Sequence, residues 1–470
     1  MLRGVMLRTC VVLGSVCVVG CAHGVSPTVH VRSAIPQEQV ASGSGERWFT
    51  GLESALAVAT PGTTIVVHGP LELRAQVQVG NAGRADAWIT IIGDSREPAV
   101  LDASRITIAP PGGPSPWPHD DGAITLRGAH HIAVRNLTIV DSPSAAIAIH
   151  DSTDIVITGN RTERSFGSGI AAWDSDHRPG GCERIRILGN VVRGANDVEL
   201  APPWFERNNE PPHEAISIGG ARDFEVAFNE VADTRKEGID VKDTSSRGRV
   251  HHNHVHDAAR QCYYVDAWFG SLVDIEVDHN LGERCAGAGL AISAEGKHDA
   301  VLERLQIHDN ILRDNQGSGV LFGVWGGDGP RREIAIHHNT IERNGHGLPN
   351  LGHAYFWITG GVFMLSANVE ALDVRANRIV DNRGFQVGVS DRWLARGADL
   401  GAVFATAKVT FAENEVRGEL AHTPIDVGEG ERAARVHEWP LDPAPEAAAT
   451  AGARLDRKDV GPAAWGRGAV

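Results

Sequence analysis

The chain has 470 residues, including 54 Gly and 22 His, and its 59 acidic against 44 basic side chains give a net charge of −15. That length can bury a large core. No basic patch is visible, which argues against a nucleic-acid partner, and so acidic a surface repels a polyanion at long range unless a cation or a local base intervenes.

The first 21 residues read as a targeting leader. Arg3 and Arg8 precede a short apolar run, residues 9–20, too short to span a bilayer. Val18-Val19-Gly20-Cys21 resembles the bacterial lipobox, with Cys21 as the lipidated residue after cleavage. Residue 22 is Ala rather than Asp, which points to the outer membrane of a bacterial cell envelope. Plain secretion after cleavage near Ala22 is the alternative. Residues 22–45 are expected to be a tether.

The main chain carries a repeat. Segments such as IAVRNLTI, IVITGNRT, IRILGNVV, FEVAFNEV, IEVDHNLG and IAIHHNTI recur around Asn136, Asn160, Asn190, Asn229, Asn253, Asn280, Asn310, Asn339, Asn377 and Asn414. Most are followed, ten to twelve residues on, by an aliphatic strand: Ile147, Ile170, Ile239, Val265, Leu290, Val320 and Val387. Longer gaps before Ile216 and Val362 mark inserted loops, roughly 196–213 and 345–359. Each unit alternates apolar and polar residues, so one face is apolar and no single rung can bury it. Stacked in parallel about 4.8 Å apart, such rungs close a cylinder. The expected fold is all-β: a single-stranded right-handed parallel β-helix over residues 46–428. LESALAVATP (52–61) reads as its N-terminal capping helix and PIDVGEG as its closing rung. The Asn residues belong at corners, where they tolerate left-handed backbone and bond to the next rung. Residues 429–470, rich in Ala, Pro and Gly, read as a disordered tail.

Of the cysteines outside the leader, Cys262 and Cys285 are 23 residues apart, about one rung, and suit a disulfide. Three stacked buried thiols, with Cys182, are the alternative.

Side chains alternate in and out along a strand. Counting from the aliphatic anchors puts Asp240 and Lys242 outward on one rung, with Asp266 and Trp268 outward on the next. Asp240 is then expected to stack on Asp266, and Lys242 beside Trp268. Glu214 and Glu237 stack two residues before their anchors. Four carboxylates this close repel unless protonated or bridged by a cation, and their oxygens suit Ca²⁺. The expected metal ligands are Glu214, Glu237, Asp240 and Asp266. A solvated charged face is the alternative. His251, His252, His254 and His256 fall inside the repeat and read as a surface ladder rather than a zinc site.

The stretch HEAISIGGARDFEVAFNEVADTRKEGIDVKDTSSRGRVHHNHVHD resembles the central part of the polysaccharide lyase family that includes alginate lyases and chondroitinase B. There, a Gly-Glu-x-Ile-Arg-Ile-Gly rung precedes one with Ca²⁺-binding glutamates and a Lys-Ser pair. The resemblance sets Glu214 on the first glutamate, Glu237 on a metal-binding glutamate and Lys242 on the catalytic base. It departs where Asp243 follows the lysine, where Asp240 adds a carboxylate, and where YYVDAWFG replaces an Arg-His-Gly rung.

The expected function is cleavage of a polysaccharide, led by Ca²⁺-assisted β-elimination at a uronate with Lys242 as base and Tyr263 or Tyr264 as proton donor. Hydrolysis by Asp240 and Asp266 is the alternative enzyme reading. A non-catalytic carbohydrate-binding β-helix is the third. Trp173, His213, Trp268, Trp325 and Arg260 are the expected substrate-binding residues, and a monomer is expected.

Overall fold

The computed structural model describes residues 27–34, 46–112, 120–206, 210–295, 299–346, 360–366, 368–390, 399–418, 425–427, 434–438 and 457–462. The leader with Cys21, most of the second insertion and most of the tail lie outside these residues. None of the described helices is long and apolar enough to cross a membrane.

Three long sheets run the length of the molecule, and successive strands visit them in turn. Pairing within them is parallel throughout the coil, as between Ile147–Ile149 and Ile170–Ala172. The inward residues Ile147, Ile170, Ile216, Ile239, Leu290 and Val320 are fully or almost fully buried in one continuous core. That core is why the rungs stack: each open rung exposes the apolar face that the next one covers.

The asparagines lock the register. Asn280 donates its backbone N–H and its Nδ2 to Asn310 Oδ1, both at 3.0 Å. Its Nδ2 also donates to Val250 O at 2.8 Å, and its own Oδ1 accepts from Asn253 N and Nδ2 at 3.0 Å. The same pattern links Asn160 through Asn190, Asn229 and onward to Asn414. Two details differ from the sequence reading. The left-handed residue is the one before the asparagine, as at Phe228 (φ 58°) and His252 (φ 54°). Asn136 is itself such a residue (φ 52°), so it stands outside the ladder, and Leu137 N donates to Asn160 Oδ1 in its place. A second ladder, Asn315 to Asn344 to Asn382, ends on Gln386.

The ends also differ. Thr28–Val31, placed in the expected tether, pairs with Arg47–Phe49 and Thr64–Val67 and extends the coil. The capping helix is shorter than expected, Leu52–Leu56, and buries Leu52, Ala55 and Leu56. Ile425–Val427 does not close the coil as a parallel rung. It forms an antiparallel pair with Ala434–Glu438, which also pairs antiparallel with Val387–Ser390. The expected disordered tail therefore contributes a strand, and Val460 packs on Leu281 and Ile311. In both cases a few β-branched residues suffice to pair with an open strand edge.

Cys262 and Cys285 form a disulfide between adjacent rungs, and Cys182 is a buried free thiol. Replacing both bridged cysteines by Ala should lower stability by about 2–4 kcal/mol. Asn280→Ala should cost a similar amount, about 2–4 kcal/mol, because it leaves buried partners unmet. Thermal and denaturant melts of the two variants check both.

Candidate functional site

One sheet carries the site on its outer face. Its register is Ile216↔Ile239↔Tyr263, Ser217↔Asp240↔Tyr264 and Gly219↔Lys242↔Asp266. The next strand adds Ala291 under Tyr264 and Ser293 under Asp266. Asp240 thus pairs with Tyr264 and Lys242 with Asp266, which corrects the expected Asp240-on-Asp266 stack and the expected Lys242–Trp268 neighbours. The cause is the anchor: Tyr263, not Val265, fills the core position equivalent to Ile239. Its ring is 2% exposed, and its hydroxyl donates to Asn253 O or Leu281 O, each at 3.0 Å. A shift of two residues preserves in–out parity, so Asp240, Lys242 and Asp266 still point out of the core. Tyr263 points in, which removes it as a proton donor.

A cleft of about 510 Å³ opens over these strands. Glu214, Glu237, Asp240, Lys242, Tyr264 and Asp266 line it, together with His213, Arg260, Trp268 and Trp325. The first insertion contributes Glu210 and His213 to its wall, and loops following the strands contribute His177, Phe269 and Trp325. Trp173 is not among the lining residues. It packs against His150, His177 and His213, with ring centroids 4.6 Å away from His213. Lys236, Gln261, Asp243 and Glu295 also line the cleft and are not among the expected site residues. Glu237 and Gln261 hold the same rung position as Glu214, two residues before the anchor, so the repeat itself could have located Gln261.

Charge in the cleft is tightly organised. The Glu214 carboxylate takes Lys242 Nζ at 2.6 Å, Ser217 Oγ at 2.9 Å and Lys236 Nζ at 3.4 Å. Burial works to raise its pKa, but Lys242, Lys236 and His213 outweigh this and hold it well below the usual carboxylate range. Burial likewise works to lower the Lys242 pKa, but Glu214, Asp240, Asp243 and Asp266 hold it well above the ordinary lysine value. That direction is opposite to what a lysine base needs.

Asp240 and Asp266 behave differently. Burial first, then Asp266 and Glu214, push Asp240 well up. Burial also raises Asp266, with Lys242 opposing and Glu295, Asp243 and Glu214 adding to it. Asp240 Oδ1, Asp266 Oδ1 and Glu237 Oε2 are buried with no hydrogen-bond partner among the protein's own groups. Tyr264 donates to Glu295 Oε1 at 2.8 Å, and burial, Asp266 and Glu295 raise its pKa well above the usual phenol value.

No three of the four expected metal ligands bring their oxygens within 4.8 Å of one another. Ligands of a single Ca²⁺ at 2.3–2.6 Å lie within about 5 Å of one another. Among the described residues, the only trio of His, Cys, Asp or Glu ligand atoms within 4.8 Å of one another is Asp278, His279 and His308. Lys242 instead provides the cation, 2.6 Å from Glu214 and 3.7 Å from Asp240. The Asp278 carboxylate is already engaged by Arg249, with both contacts at 2.7 Å. The histidine column beside it alternates stacked and edge-on rings, His252 on His279 at 5.0 Å and His279 on His308 at 6.2 Å. A second hollow on that flank is lined by Arg247, Arg249 and Arg304, each paired with an aspartate.

No curated protein matches the chain. Solved structures similar to it include the A-module of a mannuronan C-5 epimerase from Azotobacter vinelandii, at 14% identity and TM-score 0.46, covering 78% of this chain and 89% of that one. An alginate lyase from Paenibacillus sp. str. FPU-7 is similar at 16% identity and TM-score 0.42, covering 61% and 91%. A periplasmic alginate epimerase is similar at 12% identity and TM-score 0.41, covering 67% and 70%. The family model described as "Right handed beta helix region" matches residues 122–302 and 212–363, together just over half the chain. The chain belongs to the right-handed β-helix family.

Proposed function

We propose that this protein is a polysaccharide-cleaving enzyme, and that Asp240 and Asp266 are its catalytic pair acting by hydrolysis. The observation that carries the reading is the pair itself. Both carboxyls are raised in pKa, both are buried at a cleft floor, and each keeps one oxygen without a partner. Two interacting carboxyls cannot readily both ionise, so the pair passes through a state holding one proton. Acid–base cleavage of a glycosidic bond uses that state.

Both carboxyls feel Lys242, whose Nζ lies 3.7 Å from Asp240 Oδ2. One of the pair serves as the acid that protonates the leaving oxygen and the other as the base or nucleophile. Trp268 and Trp325 offer apolar faces for sugar rings along the cleft.

β-Elimination with Lys242 as base is the second reading. It is favoured by the run of Glu214, Glu237 and Lys242 along successive rungs, and it requires the ammonium to shed a proton against four carboxylates. Attachment to the outer membrane through Cys21 belongs to the same proposal and would set the cleft facing glycans of the envelope or its surroundings.

The test is product chemistry on a panel of neutral, basic and uronate polysaccharides, run with added Ca²⁺ and with chelator. Hydrolysis predicts new reducing ends without unsaturated-uronate absorbance, unaffected by chelator. Absorbance that needs Ca²⁺ and vanishes in Lys242→Ala would install the elimination reading instead.

The same pair predicts a pH-dependent stability cost. A carboxyl whose folded pKa lies above its unfolded value stabilises the fold below the unfolded pKa, and that contribution is lost as pH rises through the folded value. Asp266→Asn should therefore melt higher than wild type at neutral and alkaline pH, with the gain shrinking toward pH 4. Thermal melts across that range check the trend, and a variant less stable at every pH would contradict it.

A further inference from the structure

The cleft is short of hydrogen-bond donors. Glu237 Oε2, Asp240 Oδ1, Gln261 Oε1 and Asp266 Oδ1 all lack a partner among the protein's own groups. The four residues are at most 4% exposed, and all line the cleft. Glu237 and Gln261 sit on adjacent rungs along one lip, linked by Gly238 N donating to Gln261 O at 3.0 Å. Their backbones are thus about one rung, roughly 4.8 Å, apart, and Gln261 Oε1 lies over Gly287 of the following rung.

The cleft's own cations are committed. Lys236 and Lys242 pair with Glu214, and Arg260 pairs with Glu210 and Glu237. The lining holds seven Asp or Glu side chains against three Lys or Arg. A uronate carboxylate would bring further acceptors and further negative charge into this site. A protonated sugar amine would bring three N–H donors and the opposite charge.

We propose that the cleft selects a glycan of amino sugars bearing free ammonium groups over a polyuronate, with one ammonium seated against Glu237. This rests on the glycan-cleaving reading above and gives that cleft its substrate class.

Calorimetric titration of Asp266→Asn, in which turnover is silenced, tests it. The probes are glucosamine oligomers, their fully N-acetylated counterparts and oligouronates of equal length. Glucosamine oligomers should bind at least about tenfold more tightly than either, a margin that should shrink as salt rises. Adding Glu237→Gln should erase the margin. If that variant does not fold, adding Gln261→Lys should erase it by repulsion. Equal binding of the N-acetylated oligomers, tighter binding of the oligouronates, or no binding of any probe would overturn the proposal. Cleavage is scored separately on the wild-type protein. Selective binding without cleavage would remove the enzyme reading alone, while cleavage of a polyuronate would remove the substrate class and leave the enzyme reading in place.

Discussion

Everything in this molecule depends on rung-to-rung register. A parallel solenoid has no turn geometry to fix pairing between distant strands, and a slip of one residue would turn every outward side chain inward. The asparagine ladder prevents that slip. Each amide spans to the next rung through both its backbone and its side chain, as Asn253 does to Asn280 at 3.0 Å. Because these bonds are buried, an unmatched rung leaves polar groups without partners, and the cost falls on the wrong register. The cleft residues come from separate rungs and meet only because of this alignment.

The outer face spends some of the stability that the core supplies. Glu214, Asp240 and Asp266 are almost removed from water and Lys242 is partly so, yet all carry charge or resist carrying it. Glu214 and Lys242 neutralise one another in a short ion pair. Lys242 also lies 3.7 Å from Asp240, yet burial leaves both Asp240 and Asp266 prone to hold a proton. Perturbed, unsatisfied carboxyls in a cleft are a common mark of functional sites, because nothing in folding favours them.

Much of this was legible in the sequence. Hydrophobic alternation with a recurring Asn identified the coil, since a 24-to-39-residue spacing of one motif has few other physical explanations. It also named Asp240, Lys242, Asp266 and Glu214 as outward residues of neighbouring rungs. The lateral register failed at one point, because Tyr263 fills a core position that elsewhere holds Ile or Leu. The ten-residue interval from Asn253 to Tyr263 repeats those from Asn229 to Ile239 and Asn280 to Leu290, and it would have corrected the anchor. Trp173 was misplaced because composition cannot tell an aromatic that lines a cleft from one packed behind it. The expected metal ligands share their patch with Lys242, whose ammonium lies 2.6 Å from Glu214 and 3.7 Å from Asp240.

The central claim is that Asp240 and Asp266 perform bond cleavage. The direct measurement is reducing-end release by the Asp240→Asn and Asp266→Asn variants on a glycan that the wild-type protein cleaves. With folding verified by thermal melts, each variant should lose about 10²–10⁴-fold in kcat while still binding the glycan. Turnover within a few-fold of wild type in either variant would contradict the assignment.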